Sequence, residues 1–169
     1  DRRAEWLQHV NLDGVLVDSQ TAFHDGLMIT ICPWWEGEDA KARVQTLIEA
    51  DAARRGSSRW IWVYHAPPTG SKTSWNGKVY SGDTFVAGLI ERHKPDIVLG
   101  GHIHNSPFYD SGSWHDRIGD TLVFNPGRQM SSIPTCISID FDTMRANWES
   151  SEGEEQIEIP ATGAYSPAG

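Results

Sequence analysis

Five consecutive large apolar residues, Trp60-Ile61-Trp62-Val63-Tyr64, constrain this chain more than anything else in its sequence. Successive side chains of a strand point to opposite faces, so a run without polar alternation needs cover on both sides. The fold must therefore supply one layer above this strand and another below it. The run stops at His65-Ala66-Pro67-Pro68, where the prolines lack the N–H that would continue a ladder. Asp96–Gly100 reads as a second buried strand. Leu122–Phe124 is a third apolar run and leads into the turn Asn125-Pro126-Gly127.

Helical periodicity separates the first of these runs from their neighbours. From Asp39 to Arg55 the apolar residues Ala40, Val44, Leu47 and Ile48 fall at i, i+4, i+7 and i+8, and Gly56 ends the segment. Asp83–His93 sets Phe85, Val86, Leu89, Ile90 and His93 on one face, with Pro95 as its stop. Upstream, Val15–Val17 and Leu27–Cys32 read as adjacent strands, the second halted by Pro33. Downstream, Ile137, Ile139 and Phe141 share a face of Thr135–Phe141, which Asp142-Thr143 turns into Ala146–Trp148 as an antiparallel hairpin. The order β-β-α-β-α-β-β-β-β predicts an α/β fold, a layered β-sandwich flanked by helices, over residues 1–148.

Residues 149–169 hold five of the 23 acidic residues and none of the 14 basic ones. Rich in Gly, Pro, Ser and Glu, this stretch predicts an acidic, disordered tail with at most a short strand near Ile157–Ile159. The net charge of −9 argues against non-specific nucleic-acid binding through a basic face, so nucleic acid as substrate is not indicated by charge. No apolar run approaches the roughly 18–20 residues of a membrane span, and no membrane partner is expected. Cys32 and Cys136 make no disulfide framework and require no oxidising compartment, so a cytoplasmic setting is expected.

The chemistry concentrates in His65, His102 and His104. Each follows the carboxyl end of a predicted buried strand, where open α/β sheets gather their ligand sites. His102 and His104 leave their strand into Asn105-Ser106-Pro107, a turn that lets both imidazoles converge on one region. Neutral imidazole is the commonest nitrogen ligand for zinc, iron and similar metals. Isolated H-x-H pairs are frequent by chance. What singles these out is the order: buried strand, His-Ala-Pro-Pro, helix, buried strand, Gly-Gly-His-Ile-His-Asn-Ser-Pro, strand, Asn-Pro-Gly.

That order resembles the calcineurin-like metallophosphoesterase family from about Leu12 to Trp148, through V-Y-H-A-P-P, the G-H-I-H after L-G, and F-N-P-G. The resemblance implies a two-metal centre (Mn, Fe, Zn or similar) that hydrolyses phosphomonoesters or phosphodiesters. It implies His65 and His102 as ligands of the second metal and His104 as a ligand of the first. The first three family motifs, D-x-H, G-D-x-x-D and G-N-H-[DE], are absent. Gly82-Asp83 and Gly119-Asp120 are not followed by the second Asp that G-D-x-x-D requires. In the family those motifs lie upstream and supply the bridging carboxylate, further ligands and a catalytic His. The sequence is thus expected to be the C-terminal part of such a domain, inactive alone, with no catalytic residue assigned.

Two alternatives stand beside this expectation. One is a non-catalytic scaffold that keeps the fold and binds protein partners. The other is a mononuclear three-His zinc site. Asn125 and Arg128 belong either to a plain turn or to a substrate site in which Arg128 holds phosphate oxygens bidentately. Lys72 and Lys78, in the polar stretch Thr69–Gly82, are solvated loop residues or guides for an anion. Trp34 and Trp35 are core residues or a rim that stacks a base. His115 reads as a surface loop residue.

Overall fold

The computed structural model describes residues 16–33 and 37–160. Two helices and two sheets form three layers in this α/β chain. The larger sheet contains β1 (Thr21–His24), β2 (Leu27–Ile31), β3 (Arg59–Val63), β4 (Ile97–Leu99), β5 (His115–Ile118) and β6 (Thr121–Phe124), in the order β1-β2-β3-β4-β6-β5. β2, β3, β4 and β6 run parallel, while β1 and β5 pair antiparallel at the two edges. Helix α1 (Glu38–Arg54) connects β2 to β3, and α2 (Thr84–His93) connects β3 to β4. Both crossovers step the same way across the sheet, so right-handed connections bring both helices to one face.

The other face carries a three-stranded antiparallel sheet, β7 (Cys136–Asp140), β8 (Arg145–Ser150) and β9 (Gly153–Glu158). The period-two rule divides the core accordingly. Met28, Trp60, Trp62, Val98 and Val123 meet Val44, Ile48, Val86, Leu89 and Ile90 of the helices. Ile61, Ile97, Leu122 and Phe124 point the opposite way and meet Ala146, Trp148 and Ile159, with Ile137 and Ile139 alongside. The unalternated run at Trp60 is thus covered on both sides, as its composition requires.

Three expectations change. The first strand is Thr21–His24, not Val15–Val17; Leu16 and Val17 precede it without strand structure, and Val15 lies outside the described residues. His115 belongs to edge strand β5 and is half-buried, not a loop residue. The acidic stretch predicted as disordered from residue 149 is folded as far as Pro160: β8 runs to Ser150, and β9 pairs with it from Gly153 to Glu158. Its glutamates point mostly to solvent while Ile157 and Ile159 enter the core, and Glu155 Oε2 accepts the indole N–H of buried Trp114 at 2.6 Å. A strand at a sheet edge needs only one apolar face, so composition alone misjudges it. Residues 161–169 and the pair Trp34 and Trp35 lie outside the described residues.

Polar side chains fasten α1 to the sheet. Asp51, only 1% exposed, occupies the helix face that meets the core. Its carboxylate accepts hydroxyl hydrogens from Thr21 at 2.6 Å and Thr30 at 2.5 Å, and pairs with Arg54 at 2.7 Å. Thr30 in turn accepts the Trp60 indole N–H at 2.8 Å. Burial, reinforced by Asp51 and Asp18, pushes the neighbouring Cys32 thiol well above its ordinary value, which leaves it unreactive. At the amino edge of the sheet, Asp96 accepts from Arg55 at 2.5 Å and from the Trp60 backbone N–H at 2.7 Å. No helix among the described residues is long and apolar enough to cross a membrane.

His93 closes α2 beside Trp60 and Trp62, with ring centroids 6.5 Å from each. Its Nε2 is buried with no hydrogen-bond partner among the described residues. Burial, with Arg92 adding repulsion, lowers its pKa against the opposing pull of Glu49; burial likewise lowers His115 despite Glu155 and Asp116. The unfolded chain therefore binds more protons than the native state below pH ~6.5, and stability falls as pH drops through that value toward the lowered pKa values. Thermal melts between neutral pH and about pH 5 should show this loss, and His93→Phe should reduce it. A melting temperature independent of pH over that range would contradict the account.

Candidate functional site

All four parallel strands release the chain at the same edge, and His65, His102, His104 and Asn125 follow three of them directly. Extending the β3–β4 register beyond Val63↔Leu99 brings Tyr64, His65, Gly100 and Gly101 side by side. Tyr64 N–H donates to Leu99 O at 2.9 Å, and Gly101 N–H donates to His65 O at 3.0 Å. Gly100 N–H donates to Phe124 O at 2.8 Å, continuing the pairing to β6. The backbone ladder thus persists until the two histidine segments lie on adjacent strands.

His102 then reverses the chain. It has φ 60°, in the left-handed region that side chains with a Cβ disfavour. The Ile103 N–H closes a three-residue turn onto Gly101 O at 2.6 Å. The reversal sends the His102 imidazole back across to β3, where its Nδ1 is 2.9 Å from His65 Nε2. The rings meet edge to face with centroids 4.8 Å apart. Partial burial lowers the His65 pKa, and the neighbouring charges of His102 and then His104 lower it further. At neutral pH His65 is therefore an uncharged imidazole with a lone pair to give.

The structure joins His102 to His65 across the strands, and His104 is exposed on the outgoing loop. His104 influences His65 through charge, and its carbonyl accepts the Arg128 backbone N–H at 2.9 Å. Arg128 follows the Asn-Pro-Gly turn and is exposed, its backbone on the same edge as His104. Among the described residues, no three His, Cys, Asp and Glu side chains are grouped so as to hold a metal ion.

Asn125, a candidate substrate residue by sequence, is 1% exposed and serves as a brace. Its amide N–H groups face Thr73 O and Ile103 O at 2.9 Å each and Ser106 Oγ at 3.1 Å, while its Oδ1 accepts Gly127 N–H at 3.0 Å. Gly127 has φ 70°, and a Cβ there would lie 2.7–2.8 Å from Pro107 and His104 O, so the turn seats directly on the histidine loop. Trp148 of β8 donates its indole N–H to Pro126 O at 2.9 Å. The small sheet thereby supports the site from below.

No protein-family model matches the sequence, and no curated protein matches it. Solved structures do. One crystal structure superposes with a TM-score of 0.53 at 16% identity over 85% of this chain and 54% of its own length. The crystal structure of TT1561 of Thermus thermophilus gives 0.46 at 19% identity, over 85% of this chain and 59% of its own. The chain spans little more than half the length of either. At 16% identity the first likeness concerns the fold alone.

If His102 keeps a strained backbone for the sake of its imidazole, removing the imidazole should expose the strain. Urea denaturation should find His102→Gly more stable than His102→Ala by about 1 kcal/mol, since both lose the ring and only glycine tolerates the left-handed turn freely. An alanine variant as stable as the glycine variant would contradict the assigned geometry.

Proposed function

We propose that this chain carries the histidine part of a metal-dependent phosphoesterase centre of the calcineurin-like metallophosphoesterase kind, acting on phosphomonoesters or phosphodiesters. The observation that carries this is the 2.9 Å approach of His65 Nε2 to His102 Nδ1 at the carboxyl edge of a parallel sheet. Two imidazoles on one tetrahedral zinc at about 2.0–2.1 Å would hold their nitrogens roughly 3.3–3.4 Å apart, so this pair would need to open by only a few tenths of an ångström to share a metal. A neutral His65, kept so by partial burial, is in the ligand form. Backbone strain of the kind found at His102 is tolerated where function requires it.

The pair does not make a complete dinuclear centre. Such a centre also needs carboxylates to balance its charge, and among the described residues none joins these histidines in a ligand group. No hydrolytic step follows from this chain's residues alone. When bound, two metals supply an acidified water and a clamp for the phosphate oxygens. The role of this chain is narrower. His65 and His102 would hold one metal, His104 would be a ligand of the other, and the exposed Arg128 guanidinium would take phosphate oxygens. Any further ligands would have to come from outside the described residues.

One observation favours the scaffold alternative: His65 and His102 already contact each other and can form a hydrogen bond without a metal. Calorimetric titration with Zn²⁺ and Mn²⁺ at neutral pH separates the two. The phosphoesterase reading predicts weak binding that weakens further in acid as the imidazoles protonate and that both His65→Ala and His102→Ala abolish. It also predicts little or no hydrolysis of a chromogenic phosphodiester by the chain alone. Absence of binding, or binding unchanged in both variants, would favour the scaffold.

A further inference from the structure

The loop between β3 and α2 is not the formless polar segment its Gly and Ser content suggests. Trp75 and Tyr80 pair across a small hairpin, their rings 4.9 Å apart. The turn between them closes through Asn76 N–H to Val79 O at 3.1 Å, and Asn76 Oδ1 accepts the N–H groups of Lys78 and Val79, both at 3.0 Å. Below it, Ser81 N–H donates to Ser74 O at 2.8 Å. Tyr109, from the loop after His104, lies against the hairpin tip: a Cβ on Gly77 would be 3.1 Å from its ring. Tyr80 donates its hydroxyl to Ser111 O at 3.3 Å, which joins the two loops.

Two of the three rings remain open to solvent, Tyr80 at 43% and Tyr109 at 45% exposed, with Val79 next to Tyr80 at 58%, while Trp75 is half-buried. Fixed, solvent-facing rings are suited to stacking because little side-chain entropy is left to lose on binding. The platform also belongs to the histidine edge. Thr73, at the foot of the hairpin, and Ile103, between the histidines, both bind the Asn125 amide. Tyr109 follows His104 by five residues, a chain reach of at most about 18 Å, which the intervening 3-10 turn Ser106–Phe108 shortens. Lys72 and Lys78, both exposed, add positive charge to the same loop.

We propose that Trp75, Tyr80 and Tyr109 form a stacking subsite for the flat ring of a phosphate ester, either a nucleobase or an aryl group, whose phosphate lies at the histidines. The phosphate part of this assignment rests on the phosphoesterase reading; the ring part does not. Aromatic platforms accept flat rings face to face with little regard to the ring's own edge groups, and the adjacent cations suit an anionic ester.

Calorimetry on the whole chain with Mn²⁺ present, using AMP, phenyl phosphate, ethyl phosphate and adenosine as probes, tests it. AMP or phenyl phosphate should bind at least about fivefold more tightly than ethyl phosphate, and Tyr109→Ala should erase this advantage while Tyr109→Phe retains it. Preference for AMP over phenyl phosphate identifies a base, and equal binding of the two identifies an aryl group. Binding of adenosine that is sensitive to Tyr109→Ala, with no gain from a phosphate, supports the stacking subsite and overturns the phosphoesterase reading. Equal binding of all three phosphates, or an advantage that survives Tyr109→Ala, overturns the subsite.

Discussion

A primary amide offers two N–H groups and one carbonyl oxygen, and at Asn125 every one of them is committed inside the protein. Thr73 belongs to the loop after β3, Ile103 and Ser106 to the loop after β4, and Gly127 to the turn after β6. One buried side chain therefore ties together three loops that leave adjacent parallel strands at the same edge. Leaving those carbonyls unpaired in a buried setting would cost roughly 1–3 kcal/mol apiece. Each loop is held by this brace near its root, so the residues further out inherit fixed positions. Thr73 lies two residues before the aromatic hairpin and Ile103 next to His102, so the brace borders both.

The two ends of the sheet are built differently. The amino edge is closed by the Arg55–Asp96 pair, with Asp96 also taking the Trp60 N–H, so its charges are satisfied internally. At the carboxyl edge, exposed histidines follow strands whose backbone pairing continues through Gly101, and His102 adopts a turn disfavoured for its residue type. Packing and hydrogen bonding thus stabilise the base of the edge while its rim carries strain and ring nitrogens. That distribution is expected where a rigid scaffold positions ligand-binding groups.

Much of the layered fold was legible because its determinants are local. The Trp60–Tyr64 run demanded cover on both faces, and the periodicities around Val44 and Leu89 identified the helices that provide one of the layers. Edge strands were harder. Thr21–His24, His115–Ile118 and Gly153–Glu158 carry few core residues, so backbone pairing with a neighbour fixes them. The glutamates of β9 have the composition of a disordered tail, although only Ile157 and Ile159 need burial. At the site, the sequence located His65, His102 and His104 at strand ends but could not reveal that His102 turns back toward His65. That depends on the register of β3 with β4 and on a positive φ at a non-glycine residue. The Asn76-Gly77 pair between two aromatic residues was a hairpin signal, masked by the surrounding Ser, Thr and Lys.

On the proposed reading, two imidazole nitrogens that the fold brings together from neighbouring strands bind one metal ion. The imidazole ¹⁵N spectrum of the chain, recorded while Zn²⁺ is added, reads those nitrogens individually. His65 Nε2 and His102 Nδ1 should shift together along one titration curve, while the nitrogens of His93, half-buried beside Trp60 and Trp62, stay in place. A shift of only one of the pair, or of neither, would contradict the account.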